Sequence, residues 1–115
     1  MYRFSYAEVL EETPQSARDR ERMAMEHAIS LLQAGAKSGA DSREAVEALH
    51  FCRRLWAILI EDLGHPENQL PEKLRADIIS IGLWIMKEAE EIRLGRSETF
   101  QGIIDVTKSL KEGLQ

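Results

Sequence analysis

The segment from Ser42 to Leu63 restricts the fold of this chain more than any other stretch. On a helical wheel, one narrow stripe holds its polar side chains together with Ala57: Arg43, Glu47, His50, Arg54, Ala57 and Glu61. Nearly all other residues are apolar, so the apolar arc covers roughly 200°, against about 100° for an ordinary surface helix. Such a helix must contact neighbours on two sides, which predicts the central helix of a bundle. Any part of the arc that stays uncovered would instead form a groove for a partner.

Proline, glycine and short polar stretches divide the chain into helices. Its 115 residues predict a single domain, and no alternating Val-, Ile- or Thr-rich run predicts a sheet. We expect Thr13 to cap the first helix, Asp41 with Glu44 the second and Ser97 the fourth. The prediction is an all-α bundle of about four helices with an N-terminal arm or short helical turn. The arm covers residues 1–12, and the helices cover about 14–35, 42–63, 71–94 and 98–112.

Trp84 does not fit the apolar face of the third predicted helix. That face consists of Leu74, Ile78, Ile81, Ile85, Ala89 and Ile92. At about 100° per residue, Trp84 lies nearly opposite, among Asp77, Ser80, Lys87, Glu88 and Glu91. One interpretation is that a neighbouring helix covers Trp84, or that the aromatic N-terminal arm with Tyr2, Phe4 and Tyr6 does. The other is that Trp84 is an exposed anchor for a partner.

The reactive residue types form no catalytic or metal-binding arrangement. Cys52 is the one cysteine, which excludes an intrachain disulfide and a cysteine-based zinc site. It lies in the apolar arc, away from His50, which favours a core residue over a nucleophile. Glu47 and His50 have the spacing of a di-iron ligand pair, but such centres need a second pair. Phosphate-binding loops and nucleophile elbows are also absent. We expect no enzyme, no cofactor and no metal site.

Charge and hydropathy restrict the partners and the compartment. The net charge of −5 disfavours a large nucleic-acid footprint, although Arg18, Arg20 and Arg22 leave a small RNA-contacting patch as an alternative. The start "MYRFSYAEVLEE" lacks the pattern of a signal peptide. No apolar run is long enough to cross a bilayer. We therefore expect a cytoplasmic protein that does not bind a membrane.

Three stretches carry a family likeness: "MYRFSYAEV", "SREAVEALHFCRRLWAILIEDL" and "PENQLPEKLRADIISIGLWIMKEAE". In this order along the chain they closely resemble FlaF, the flagellar biosynthesis regulator family of alphaproteobacteria, and the contexts of Trp56 and Trp84 are the most specific parts. The resemblance implies a cytoplasmic protein needed for flagellin production and filament assembly. It also implies action on flagellin, as a secretion chaperone and as a positive regulator that counters the FlbT translational repressor. It transfers no catalytic or cofactor residue.

Residues and resemblance together predict a non-enzymatic protein that binds flagellin before export, with an amphipathic flagellin helix in an apolar groove. The alternative is a post-transcriptional regulator that acts on flagellin mRNA or through FlbT. Rising salt separates the two, because it weakens RNA binding steeply and hardly affects an apolar groove. The sequence leaves the oligomeric state open. The candidate partner-binding residues are Trp84, Tyr2, Phe4, Tyr6, Trp56 and Ile60.

Overall fold

The computed structural model describes residues 14–113, with side chains from residue 17 onward, and this range holds four α-helices. No strand occurs within it, which confirms the predicted all-α fold. The predicted N-terminal arm and the Thr13 cap lie outside the described residues. The helices are α1, Pro14–Ser38; α2, Arg43–Leu63; α3, Glu72–Arg93; and α4, Gln101–Glu112.

The four helices pack around one shared core. α2 contacts α1 on one side and α3 on the other, as the width of its apolar arc predicts. α4 closes the bundle by packing against α1, and it meets α3 over a smaller area. The core therefore receives side chains from every helix. Its largest fully buried residues are Leu32, Trp56, Ile85, Ile92 and Ile103.

Two glycines bring α2 close to its neighbours. A methyl group on Gly82 of α3 would lie 2.3 Å from Cε3 of Trp56 on α2. A methyl group on Gly35 of α1 would lie 2.9 Å from Cα of Ala45, also on α2. Both distances are shorter than any ordinary carbon–carbon contact, so a side chain at either position would push the helices apart.

The helix caps differ from the prediction at α2 and α4. Ser42, and not Asp41, caps α2, because its Oγ accepts a hydrogen bond from the Ala45 N–H at 3.0 Å. α4 begins at Gln101, and its N-cap residue Phe100 makes no side-chain capping hydrogen bond. Phe100 is buried in the core, and the Thr99 hydroxyl accepts a hydrogen bond from the Gln101 N–H at 3.4 Å, so α4 begins later than the Ser97 cap predicted.

Arg75 ties the connection between α2 and α3 to the helix ends. Its Nη1 donates to the carbonyl oxygen of Leu63 at 3.1 Å, and its Nε donates to that of Leu70 at 3.0 Å. Leu63 is the last residue of α2, whose final carbonyls have no partner within the helix. Arg75 thus satisfies one of them and fixes how α3 returns along α2.

Candidate partner-binding surface

Trp84 lies on the outer side of α3, beside α4. A methyl group on Gly102 of α4 would lie 3.3 Å from Cη2 of Trp84, and 40% of Trp84 stays exposed. This confirms that Trp84 lies outside the apolar face of α3 and identifies α4 as the neighbouring helix that covers part of it. The arm residues Tyr2, Phe4 and Tyr6 lie outside the described residues.

Trp56 is a core residue in this fold. Only 1% of it is exposed, and its ring packs against Gly82 of α3. The apolar arc of α2 does not show which of its sides is covered, so the sequence predicted Trp56 as a partner-binding residue. Trp56 packs between α2 and α3, so its side chain is not part of the exposed surface. Ile60 lies one turn further along α2 and is half-buried at the edge of the core.

A second apolar region extends along the outside of α2 and α3, and most of its residues are not among those predicted to bind a partner. We name it the α2–α3 face. Its members recur every three or four positions on each helix, so each set lies on one side of its helix. The two sets meet where Arg53 of α2 and Glu90 of α3 form an ion pair of 3.9 Å. The face comprises Val46, His50, Arg53, Ala57 and Ile60 of α2, and Ile79, Leu83, Met86 and Glu90 of α3.

Three apolar side chains of the α2–α3 face are half-buried, and two others are more exposed. Val46 is 62% exposed and Leu83 is 56% exposed, whereas Ile60, Ile79 and Met86 are half-buried. The signal available in the sequence was the excess width of the apolar faces of α2 and α3. That width predicted that some apolar surface would stay outside the core. It did not predict which residues would form that surface.

A cleft of about 300 Å³ opens at one end of the α2–α3 face. Its lining includes the connection between α1 and α2 and both helices of the face, and it contains apolar, acidic and arginine side chains. The lining residues include Asp41, Val46, Leu49, His50, Arg53 and Arg93.

Arginine and acidic side chains border the α2–α3 face. The hydrogen bond from Arg93 lowers the pKa of Glu90, and the positive charges of Arg93 and Arg53 act in the same direction. Glu90 therefore stays ionised and is shared by both arginines. Arg43 and Arg54 are exposed on α2, and neither forms an ion pair within residues 17–113. Glu47 and Glu61 lie on the same side of α2 as Arg43 and Arg54, and Asp41 lines the cleft, so charges of both signs surround the face.

Comparison with known proteins identifies the family. Residues 2–114 match the family described as "Flagellar protein FlaF". The chain belongs to the FlaF family. A search of curated proteins and a search of solved structures each find no match. Because the match covers all four helices, the whole bundle is the unit that FlaF proteins share, and membership gives this chain a flagellar role.

The reactive groups of this FlaF bundle are separated from one another. Burial raises the pKa of the Cys52 thiol to about 12, so it stays protonated at neutral pH. The ring of His27 packs edge-on against Phe51, with 4.8 Å between centroids. Within the described range, no group of three or more His, Cys, Asp or Glu residues is placed to hold a metal ion. None of the helices in that range has the length and apolarity of a membrane span.

Proposed function

We propose that this FlaF protein is a non-enzymatic cytoplasmic protein that binds flagellin before export and thereby promotes flagellin synthesis and filament assembly. The observation that carries the proposal is the FlaF match over residues 2–114, on a bundle that leaves large apolar side chains exposed. Flagellin termini are in general amphipathic helices, and exposed apolar helix surface is what such helices bind. Flagellin would thus cover surface that the free protein leaves in water.

Trp84 is the proposed anchor, with Ile60 and the N-terminal aromatics Tyr2, Phe4 and Tyr6 as further contacts. Tryptophan combines a large apolar ring with a polar N–H, and it is enriched at binding hot spots. Trp84 is supported on one side by α4 at Gly102 and open on the other. A side chain held in this way loses little conformational entropy when a partner covers it.

Retention of purified monomeric flagellin by the immobilised protein tests the proposal. Trp84→Ala is expected to lower flagellin affinity roughly tenfold or more and to change the melting temperature by only a few degrees, since Trp84 is part-exposed. Met23→Ala is the control, because Met23 is 62% exposed on α1, which does not contact α3. A large drop in melting temperature with unchanged flagellin binding would contradict the assignment of Trp84. A triple change of Tyr2, Phe4 and Tyr6 to Ser tests the arm.

The second candidate is a post-transcriptional regulator that acts on flagellin mRNA or through FlbT. Arg43 and Arg54, which are exposed and form no ion pair within residues 17–113, favour a contact with nucleic-acid phosphates, whereas the net charge of −5 disfavours one. Titration of the protein with flagellin mRNA at about 50 and 200 mM salt distinguishes the two candidates, since RNA binding weakens steeply over this range and apolar binding does not. Retention of FlbT without flagellin would instead favour the route through FlbT.

A further inference from the structure

We infer that the N-terminal segment of this chain, residues 1–12, packs on an apolar strip at the beginning of α3. The strip consists of Leu74, Ile78 and Ile81, and we name it the α3 strip. The contact goes beyond the proposed function, because it forms within one chain and requires no flagellin. Three observations support it: the incomplete cover of α3, the place where the segment joins the bundle, and the apolar pattern of the segment.

The core-facing side of α3 is buried over only half of its length. All buried residues of α3 lie within 82–92. The α3 strip continues the same side of the helix, yet Ile78 and Ile81 are half-buried and Leu74 is 44% exposed. α4 has 12 residues against 22 in α3, and it meets α3 over a small area that includes Trp84. Within the described residues α1 does not contact α3, so the strip lacks the cover that the rest of this side has.

The N-terminal segment joins the bundle at the end where the α3 strip lies. Glu21, in the first half of α1, is within electrostatic reach of Asp62 near the end of α2. The carbonyl oxygen of Leu63, the last residue of α2, accepts a hydrogen bond from Arg75 near the beginning of α3. The beginning of α1, the end of α2 and the beginning of α3 therefore lie at one end of the bundle.

The junction with α1 favours a change of direction toward the strip. α1 begins at Pro14, and proline disfavours helical backbone at the residue before it, here Thr13. Residues 1–12 are therefore expected to leave the axis of α1 at this end of the bundle. The strip extends about 11 Å along α3, whereas twelve residues cover about 18 Å as a helix and more when extended. The segment is thus long enough to cover the whole strip.

The sequence of the segment supplies apolar residues that match the strip. Tyr6, Val9 and Leu10 lie three and four positions apart, so a helical turn over these residues would carry them on one side. Glu8 and Glu11 would then lie on the opposite side, in water. Packing of the apolar side on the strip removes both surfaces from water, which is the driving force of the contact.

Cysteine pairs in the full chain test the inference. Leu10→Cys is combined with Leu74→Cys and, as the matched control, with Leu83→Cys. Both leucines of α3 are exposed, but their nine-residue separation places them on opposite sides of the helix. The buried native Cys52, whose pKa is raised to about 12, does not compete. After mild oxidation, the intramolecular disulfide with Leu74→Cys is expected in at least about tenfold higher yield than with Leu83→Cys, measured by mass spectrometry.

Hydrogen exchange followed by mass spectrometry gives a second readout that needs no new cysteine. Val9→Ser with Leu10→Ser is expected to speed amide exchange across residues 74–81 at least about tenfold, because the strip loses its cover. The rest of α3 is expected to exchange as in the native protein. Glu8→Ser with Glu11→Ser changes the opposite side of the segment and is the control, expected to leave exchange across 74–81 unchanged.

Equal disulfide yields for the two cysteine pairs, or equal exchange rates in the two serine variants, overturn the inference. Disulfide-linked dimers in place of the intramolecular bond overturn it in favour of a second copy of the chain. Protection of residues 74–81 that appears only when monomeric flagellin is added assigns the strip to flagellin and overturns it as well. If circular dichroism shows that Val9→Ser with Leu10→Ser is unfolded, the cysteine pairs decide. Neither readout of the free protein involves flagellin, so its failure leaves the proposed function standing.

Discussion

Gly82 stands where the ring of Trp56 leaves no room for a side chain. In an exposed helix interior, replacing glycine with alanine gains up to about 1 kcal/mol. Here the new methyl group would lie 2.3 Å from a fully buried ring. Gly82→Ala is therefore expected to lower the free energy of unfolding by about 1–3 kcal/mol, measured by urea denaturation followed by circular dichroism.

Gly102→Ala is the matched control for this prediction. Its methyl group would lie 3.3 Å from Trp84, a contact that a shift of the part-exposed ring by a few tenths of an ångström relieves. The free energy of unfolding of Gly102→Ala is expected to stay within about 1 kcal/mol of that of the native protein. If both alanine variants were equally stable, the contact between Gly82 and Trp56 would not limit the packing of α2 on α3.

Cys52 is predicted to be unreactive as long as the protein is folded. Because burial raises the pKa of its thiol to about 12, almost no thiolate exists near neutral pH, and the thiolate is the reactive form. Iodoacetamide is expected to modify Cys52 only on unfolding, and mass spectrometry in buffer and in urea measures this. The double variant Cys52→Ala with Val46→Cys is the control, since it places the thiol at an exposed position. Equal rates for the two thiols in buffer would contradict the prediction.

At the scale of elements, two acidic side chains interact between helices: Glu21 in the N-terminal half of α1 and Asp62 at the C-terminal end of α2. Burial raises the pKa of Glu21, and the negative charge of Asp62 adds to the rise, while Arg20 and Arg18 oppose it. A carboxyl group with a higher pKa in the folded than in the unfolded state stabilises the fold at low pH. That contribution is lost as the pH rises through the folded-state pKa.

Glu21→Gln is therefore expected to gain stability over the native protein as the pH rises from about 4 to 7. Urea denaturation across this range measures the difference. The stability of Glu90→Gln relative to the native protein is expected to change with pH in the opposite direction, because the hydrogen bond from Arg93 lowers the pKa of Glu90. Its loss of stability is expected at pH 7 and should shrink as the pH falls. Parallel pH curves for the two variants would contradict the assignment.

At the scale of the whole molecule, α4 completes the core. Phe100, Ile103 and Ile104 are buried, and each large core side chain contributes about 2–5 kcal/mol, so their joint loss is about as large as the stability of a typical domain. A chain that ends at Gly95 is expected to lose its cooperative melting transition in differential scanning calorimetry. A chain that ends at Gly113 keeps every one of these residues and is expected to melt like the native protein. A cooperative transition in the shorter chain would mean that α1, α2 and α3 fold without α4.

The sequence by itself determined which segments become helices and which direction each apolar face takes. The wide arc of α2 predicted contacts on two sides, and the polar neighbours of Trp84 predicted that it leaves the core; both hold. These properties follow from the 3.6-residue period of a single helix, which needs no knowledge of its neighbours.

Only the tertiary structure decided which part of each apolar face is covered. Trp56 and Ile60 lie in the same apolar arc of α2. The close approach of α3 at Gly82 buries Trp56, whereas Ile60 lies at the edge of the core. α4 likewise begins at Gln101, where a cap at Ser97 was expected, and its N-cap residue Phe100 is buried in a core that distant segments build. A helical wheel gives the direction of each side chain around its own helix axis. Whether that side chain is covered depends on how closely a second helix approaches. That distance is set by small residues such as Gly82, far away in the sequence.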